Sequence, residues 1–399
     1  MLLGGIRYLL PVIEVAHKMG CYVITADYLP DNIAHKYSDE YVNVSIIDKE
    51  AVLCVAQDKK IDGIMSFGVD PGVVTAAYVA EEMGLPFQCS YESACILQDK
   101  SRFRRFLMEN GFNCPKTRSF NSEQEVFQEL DTFSWPVIVK PVDSAGSKGV
   151  TKVDHVDELR LAVETAFSCS FAKRVVIEDY LDVVGFQSSS DVFTIGGTVS
   201  YPVFSDQLFD ATANNPFVPI AEIWPTTMPL SYQQDLTTQL NRLFELLQCR
   251  NGLYNVECRT CSNGKSYLME VSPRGAGDHI AHLQDMALGT NIIENEIRAA
   301  LNMPLNIRMP QETVGTWCTY TIHPAKDQNG TLETIIFDKD VEQDNIKFID
   351  LALTPAMKIQ SFTGANKSLG NVFLHFGTRE EMNDFVTHPS QWMRIKTKN

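Results

Sequence analysis

Hydrophobic and polar positions along the first ninety residues alternate between short apolar runs and segments with helical spacing. The apolar runs cover residues 2–3, 21–26 and 63–67, and the helical segments cover about residues 11–19 and 71–83. Strands that alternate with helices in this way form a parallel sheet with helices on its faces. The pattern therefore predicts an α/β unit at the N-terminal end of the chain.

After about residue 95, longer strand-rich stretches replace this alternation. Asp99 begins an amphipathic segment, residues 136–141 and 175–180 are apolar strands, and a proline-containing linker begins at about residue 302. The fold class predicted for the whole chain is therefore mixed α/β and α+β. The predicted domains are 1–95, 96–308 with a subdomain at about 115–180, and 309–399.

Composition and charge narrow the possible functions. The 399 residues carry a net charge of −16 without a cluster of lysine and arginine, whereas a nucleic-acid-binding protein usually has a basic stripe. No apolar run approaches the roughly 18 residues that a membrane-spanning helix needs, and the chain opens without the pattern of a signal peptide. Most of the ten cysteines lie singly in apolar stretches, as reduced thiols do. We expect a cytoplasmic protein that binds neither nucleic acid nor membranes.

A lysine followed by a loop of small residues is the first candidate for a functional site. Lys140 lies at the end of the apolar strand at 136–141, and residues 143–149 read Asp-Ser-Ala-Gly-Ser-Lys-Gly. Glycine and serine allow backbone N–H groups to approach phosphate oxygens. The spacing differs from that of a Walker A loop. The segment predicts a phosphate site, and a flexible surface turn is the alternative.

Two acidic residues on adjacent strands are the second candidate. Glu257 and Glu270 follow apolar runs on either side of the turn signal Asn263-Gly264. If the turn pairs these strands, the carboxylates repel each other unless a cation lies between them. Magnesium binds carboxylate oxygens together with substrate phosphates. The hairpin therefore predicts a magnesium site, and two exposed hairpin acids are the alternative.

The segment after Glu270 is the third candidate, because it combines a cation with glycines. Arg274 is suited to hold a transferring phosphoryl group or a developing oxyanion, although a structural salt bridge is the alternative. Gly275 would allow a ligand to approach the backbone closely. Asp278 and His279 follow and are candidates for substrate contacts, with a solvated loop as the alternative.

Taken in sequence order, these features resemble the ATP-grasp superfamily over about residues 1–305. The branch includes biotin carboxylase, the halves of the carbamoyl-phosphate synthetase large chain, purine-pathway carboxylate ligases and L-amino-acid ligases. The resemblance implies a Rossmann-like N-terminal domain, a central ATP-grasp domain and a small C-terminal domain. It also implies ATP with Mg²⁺ or Mn²⁺ as cofactors, and it weakly suggests a homodimer.

The resemblance assigns roles to particular residues of this chain. Arg274 and Lys140 are the implied catalytic residues, and Glu257, Glu270 and Ser272 are the implied metal ligands. The implied ATP contacts are Lys100, Lys140, Ser144, Gly146, Ser147, Gly149, Glu178, Tyr180, Leu181 and Gln187.

Two positions depart from the family pattern. Ser272 stands where an asparagine usually binds the metal, and its hydroxyl would bind a second metal ion more weakly. Gln187 stands where many members carry a glutamate that binds the ribose. The segment 204–227, with Asp206 and Asp210, is expected to line the pocket for the acceptor substrate.

The implied activity is an ADP-forming ligase that activates a small carboxylate as an acyl phosphate and transfers it to an amine or a thiol. A bicarbonate-using carboxylase, a non-catalytic ATP-binding protein and a nicotinamide-dependent oxidoreductase are the alternatives. For the last, Gly4, Gly5 and Asp27 mimic part of a dinucleotide site, but the third glycine is missing. The C-terminal unit, with its segment 362–371, is expected to pack on the central domain and to shape the acceptor pocket, or to serve only as a structural cap.

Overall fold

The computed structural model describes residues 1–326, 328–352 and 356–398. None of the described helices is both long enough and apolar enough to cross a bilayer. The strands are β1 (Leu2–Leu3), β2 (Ile24–Asp27), β3 (Glu40–Asn43), β4 (Met65–Ser66), β5 (Thr117–Phe120), β6 (Val137–Pro141), β7 (Thr151–Val153), β8 (Val175–Asp179), β9 (Ser188–Ile195), β10 (Thr198–Val199), β11 (Asp206–Phe209), β12 (Pro219–Trp224), β13 (Gly252–Thr260), β14 (Ser266–Ser272), β15 (Thr316–Ile322), β16 (Gly330–Phe337), β17 (Ile346–Leu351), β18 (Lys358–Ile359), β19 (Gly370–Phe376) and β20 (Met393–Lys398). The α-helices are α1 (Leu10–Lys18), α2 (Lys49–Lys59), α3 (Val73–Met83), α4 (Tyr91–Gln98), α5 (Lys100–Glu109), α6 (Glu123–Gln128), α7 (Leu159–Cys169), α8 (Leu230–Leu246), α9 (Ile280–Leu288), α10 (Ile292–Ala300), α11 (Lys339–Asp344) and α12 (Arg379–Thr387).

The N-terminal unit is a parallel sheet in the order β3-β2-β1-β4; α1 and α2 lie between its strands in sequence, and α3 follows β4. Side chains of β1 and β2 form part of the core, and Leu3 and Ala26 are fully buried. Asp48 caps α2 by accepting a hydrogen bond from the N–H of Ala51. Gly84 ends α3 in the left-handed region at φ +66°. The predicted α/β unit is confirmed.

Two antiparallel sheets form the centre of the chain. We call the sheet of order β5-β8-β6-β7 the lid sheet, and α7 packs over its buried apolar face. The second sheet has the order β10-β9-β13-β14. Its hairpin β13–β14 closes at Gly264, which has a φ of +75°, and the register places Glu257 opposite Glu270. The turn signal in the sequence therefore predicted this pairing correctly.

The C-terminal unit joins the central part of the chain through a shared five-stranded sheet. Its order is β11-β12-β15-β19-β17, and β12 pairs with β15 so that Ala221 lies opposite Tyr320. Strands from both sides of the predicted boundary at residue 308 thus belong to one sheet. The C-terminal unit packs on the central part as expected, while the exact domain boundaries stay a prediction.

One buried carboxyl group ties α10 to the central sheet and makes the stability of the protein depend on pH. The Glu296 carboxyl accepts hydrogen bonds from the N–H of Leu253 at 2.7 Å and from the Gln88 amide. Burial raises the pKa of Glu296 to about 8. The folded protein therefore binds the proton of Glu296 more tightly than the unfolded chain does. This proton stabilises the fold fully below the unfolded pKa of 4.5, and the stabilisation is lost as the pH rises through about 8.

We expect Glu296→Gln to flatten the pH dependence of stability, because an amide needs no proton to stay neutral. Between pH 6 and 8 the wild type should lose about 2 kcal/mol more unfolding free energy than the variant. Urea unfolding at several pH values measures this difference. The exposed Glu312→Gln is the matched control and should follow the wild type. Parallel curves for Glu296→Gln and the wild type would contradict the prediction.

Candidate active site

A cavity of about 1380 Å³ lies between the N-terminal unit, the lid sheet, the central sheet and the C-terminal unit. Most of the residues predicted to bind ATP, metal or substrate line this cavity. They are Lys100, Lys140, Ser144, Gly146, Ser147, Glu178, Tyr180, Gln187, Glu257, Glu270, Arg274 and Asp278. The predicted site residues that lie outside the cavity lining are Gly149, Leu181, Ser272, Gly275 and His279.

The two acids of the β13–β14 hairpin form an asymmetric pair in this cavity. Burial and the neighbouring Glu270 raise the pKa of Glu257 to about 7. Burial acts in the same direction on Glu270, but the charges of Lys100 and Arg274 outweigh it and lower the pKa of this carboxyl. Lys100 Nζ lies 3.1 Å from Glu270 Oε2. The pair therefore concentrates negative charge next to a lysine suited to a phosphate.

These carboxylates fit the binding of magnesium-ATP. Magnesium commonly takes only one or two protein carboxylates and completes its shell with water and substrate phosphates. Asn255, opposite Ser272 on β13, also lines the cavity and adds an amide oxygen. Within the described ranges, no group of three or more histidine, cysteine, aspartate or glutamate side chains is arranged to hold a metal ion. Glu257 and Glu270, with Asn255 beside them, are thus the residues that could hold the cation.

Ser272 stands at a position where the family resemblance implies a metal ligand, but its side chain is engaged with other residues of the protein. Its side chain is fully buried, and its hydroxyl accepts a hydrogen bond from Gln98 Nε2 at 2.6 Å. The hydroxyl also lies 3.2 Å from Asp70 Oδ1, to which it donates. Both interactions occupy the hydroxyl and connect α4 with the segment after β4, and metal binding by Ser272 stays a prediction.

A buried charge cluster supports the lid-sheet side of the cavity. Glu178 Oε2 lies 3.0 Å from Arg104 Nε, and Glu178 Oε1 pairs with Lys140 Nζ. Burial lowers the pKa of Lys140 to about 8 against the opposing effect of Glu178. Burial raises the pKa of Glu178, but Arg104 and Lys140 outweigh it and lower this pKa to about 2. Glu178, predicted to contact adenine, is therefore also the counter-ion of two buried cations.

The backbone of the predicted adenine hinge is partly occupied. The N–H of Tyr180 donates to the carbonyl of Pro136 at 3.1 Å, so it is not free for a ligand. Leu181 is buried outside the cavity lining. The predicted adenine contacts at these two residues stay predictions.

The small-residue segment 143–149, which we call the lid loop, lies over the cavity and contacts the C-terminal unit. Lys100 Nζ donates to the carbonyl of Ser144 at 3.1 Å. The N–H of Ala365 donates to the carbonyl of Gly146 at 3.2 Å, and Asn215 Nδ2 donates to the carbonyl of Ser147 at 3.0 Å. The segment 362–371, singled out in the sequence, thus contacts the lid loop through Ala365.

Gly146→Ala is expected to lower kcat/KM for ATP about tenfold. Gly146 has a φ of +65°, a region that costs a non-glycine residue on the order of 1–3 kcal/mol. An added Cβ would also lie 3.0 Å from the Cβ of Ala365, so the closed lid loop would be disfavoured. Steady-state ADP release at varied ATP measures the effect.

The control for this variant is Gly264→Ala. Gly264 has a similar φ of +75°, but an added Cβ there would meet no described heavy atom within 4 Å, so it reports backbone strain without the clash. Equal effects of the two substitutions on kcat/KM would contradict a role of the contact between the lid loop and Ala365.

Arg274 lies at the cavity wall but is already paired. Its guanidinium makes a bidentate interaction with Asp70, at 2.7 and 2.8 Å. Burial lowers the pKa of Arg274, yet Asp70 outweighs this effect and raises it. Asp70 therefore orients Arg274 within the cavity, and the predicted contact of Arg274 with a phosphoryl group or oxyanion stays a prediction.

The residues after Arg274 divide between the cavity and the protein interior. Gly275 packs against Phe67, with no room there for a side chain. His279 Nε2 lies 2.6 Å from Asp350 Oδ2, and the His279 side chain is 1% exposed. Asp278 alone among these predicted substrate residues lines the cavity.

The segment expected to form the acceptor pocket does line the cavity, but not through its two aspartates. Asp206 is buried and pairs with Arg379 at 2.6 Å, and Asp210 lies outside the lining. Gln187 also lines the cavity, and its Oε1 accepts a hydrogen bond from Arg259 at 2.6 Å. The residues of the segment that line the cavity are Gln207, Leu208, Phe209, Pro216, Phe217, Pro219 and Glu222.

Sequence reasoning missed several residues of the site. Asp70 follows β4, and the carboxyl end of a parallel strand is a usual place for a ligand site, so this signal was present. Arg104 sits on α5 without any local pattern that predicts its pairing with Glu178. Arg7 and Tyr8 follow β1 and also line the cavity.

Sequence comparisons match part of this chain to one family and longer stretches of it to known proteins. The family described as the D-ala D-ala ligase C-terminus matches residues 112–276, which is less than half of the chain. The formate-dependent phosphoribosylglycinamide formyltransferase of Synechococcus sp. (strain CC9311) is 24% identical over 314 residues, covering 76% of this chain and 77% of that protein. The carbamoyl phosphate synthase large chain of Thermotoga petrophila is 23% identical over 262 residues, covering 64% of this chain but only 23% of that longer protein.

Among solved structures, the L-amino acid ligase from Bacillus licheniformis superposes with a TM-score of 0.83 at 22% identity. The alignment covers 100% of this chain and 98% of the other. The chain therefore has the ATP-grasp fold.

Proposed function

We propose that this protein is an ADP-forming ligase that activates a small carboxylate with magnesium-ATP and transfers the acyl group to an amine or a thiol. The observation that carries the proposal is the arrangement of Glu257 and Glu270 opposite Lys100 in a cavity covered by the lid loop. Two acids and a partly buried lysine next to backbone amides provide binding groups for both a divalent cation and phosphates.

The residues of the chain would contribute mainly by positioning and electrostatics, which dominate in phosphoryl transfer. Magnesium, when bound, neutralises charge on the phosphates. Lys100 and Lys140 would bind phosphate oxygens, and the lid loop would exclude water that would otherwise hydrolyse an acyl phosphate. Arg274, oriented by Asp70, would stabilise negative charge on the acyl group during transfer.

The alternatives differ in how well the site supports them. A bicarbonate-using carboxylase needs the same phosphate groups, so the choice between the two depends on the substrate. For a nicotinamide enzyme, the carboxylate of Asp27 would have to bind a ribose, but it accepts hydrogen bonds from Asn32 and from the N–H of Leu29.

The proposal also includes a cytoplasmic location, which the free cysteines favour, and a homodimer.

The test is ADP and phosphate release with magnesium-ATP against amino acids in pairs, bicarbonate and small thiols. Release that requires one acid together with one amine or thiol would support the ligase and identify its substrates. Release with bicarbonate alone would favour the carboxylase. ATP binding without release under any condition would favour a non-catalytic ATP-binding protein. No effect of ATP on melting temperature or turnover would overturn the proposal.

A further inference from the structure

Asp278 has a backbone conformation that is uncommon for a residue other than glycine. Asp278 and His279 both lie in the left-handed region, with φ of +52° and +57°. Such residues cost on the order of 1–3 kcal/mol each and persist only when the surroundings hold them. His279 is N-terminal to α9, but neither side chain caps that helix. The strained pair instead directs the Asp278 carboxylate to the cavity wall.

Neighbouring groups hold both residues in place. Thr319 Oγ1 donates to the carbonyl of Asp278 at 2.9 Å, and Asp350 anchors His279 at 2.6 Å. Both contacts come from the C-terminal unit. The position of the Asp278 carboxylate is therefore determined by packing between two parts of the chain and does not depend on a flexible loop.

The Asp278 carboxylate has neutral partners only. Its Oδ1 accepts hydrogen bonds from Tyr8 Oη at 2.8 Å and from Asn371 Nδ2 at 3.3 Å. Burial raises the pKa of Tyr8, and the charge of Asp278 adds to this effect, so Tyr8 stays a neutral donor. Its other oxygen, Oδ2, accepts no hydrogen bond from the described residues, and no described cationic nitrogen lies within 4.0 Å of the carboxylate.

The cations near this part of the cavity are already paired with other acids. Arg7 Nε lies 3.0 Å from Asp350 Oδ2, and Arg274 pairs with Asp70 at 2.7 Å. A carboxylate that is partly withdrawn from water is costly unless an opposite charge or several hydrogen bonds compensate it. The described residues supply no cation to Asp278, so its free oxygen is available to a cationic ligand.

We propose that Asp278 binds a protonated amino group of one substrate, so that the enzyme selects a compound that carries an ammonium group over its neutral or acidic analogue. This inference rests on the proposed ligase function and specifies its substrate class. An ammonium N–H donates a charge-assisted hydrogen bond to the free oxygen of the carboxylate. A substrate with a second carboxylate at this place would be repelled.

The test compares Asp278→Asn with wild type on matched compounds, namely L-amino acids and their deamino analogues, such as L-alanine with propionate. We expect Asp278→Asn to raise KM for the ammonium-bearing substrate at least about tenfold and to leave KM for the deamino analogue and the Kd of ATP within about twofold. Asp278→Glu should restore part of the loss. The control is Asp58→Asn, which removes the same charge from an exposed position on α2 and should leave all constants unchanged.

Two results would overturn this assignment. The first is an equal change in KM for the amino acid and its deamino analogue. The second is a loss of ATP affinity and melting temperature in Asp278→Asn that matches the loss in KM, which would indicate a structural role.

The ammonium site can also be tested if no compound supports ATP turnover and the ligase proposal fails. Saturation-transfer NMR with ethylammonium chloride and with sodium propionate measures binding directly. Binding of ethylammonium to the wild type but not to Asp278→Asn supports the site. Equal signals with both proteins, or no signal with the wild type, overturn it.

Discussion

Glu270→Gln is expected to reduce kcat for ADP release at least about 1000-fold. Glutamine keeps the size of the side chain but removes one of the two carboxylates that face each other on β13 and β14. Charge stabilisation by a bound cation contributes several kcal/mol to phosphoryl transfer, and each 1.36 kcal/mol corresponds to a factor of ten in rate. The substitution also removes the partner of Lys100, 3.1 Å away, so phosphate binding should weaken as well.

The measurement is steady-state ADP release at increasing magnesium concentrations, together with the melting temperature of each protein. Glu245→Gln, an exposed position on α8, is the matched control and should keep wild-type activity. A variant that keeps its fold and loses activity at every magnesium concentration supports the assignment. Retention of more than a tenth of the wild-type rate by Glu270→Gln would exclude Glu270 from the metal site.

The local parts of this site could be predicted from the sequence because the chain itself sets their geometry. A hairpin with a turn at Asn263-Gly264 fixes its own register, and that register placed Glu257 opposite Glu270. Lys140 at the end of β6 and the following lid loop likewise depend only on nearby residues. Period and turn chemistry are short-range signals, and they determine these elements.

Contacts between distant parts of the chain could not be predicted in the same way. Asp70 and Arg274 are 204 positions apart in sequence, and their pairing depends on how the N-terminal sheet packs against the central sheet. The same packing places Asp70 and Gln98 on the hydroxyl of Ser272, so the serine is engaged outside the cavity. A single sequence shows which residues are available but not which distant pairs the packing brings together.

Glu178→Gln is expected to lower the free energy of unfolding by about 3–5 kcal/mol, because it leaves the buried Arg104 and Lys140 without their shared counter-ion. Glu129→Gln is the matched control. It breaks the pair of Glu129 with Arg118, also at the lid sheet, whose side chains are 43% and 41% exposed. Exposed pairs contribute little, so the control should change stability by less than about 1 kcal/mol. Urea unfolding of the three proteins measures the difference.

The pH dependence provides a second measure of the same charge cluster. The pKa of Glu178 is lowered on folding to about 2, so its stabilising contribution is present above the unfolded pKa and is lost as the pH falls toward 2. The wild type should therefore lose more stability on acidification than Glu178→Gln. Equal acid sensitivity of the two proteins would contradict the ion-pair account.

The Kd of ATP for Glu178→Gln separates the two roles that Glu178 can have. If Glu178 contacts adenine only through a hydrogen bond, an amide oxygen replaces it, and ATP affinity should change little in protein that remains folded. If the charge of Glu178 positions Lys140 for the phosphates, ATP affinity should fall even when the fold is intact, because the uncompensated Lys140 shifts further toward its neutral form. We expect the second result, since Lys140 lies in the cavity with its Nζ paired to Glu178.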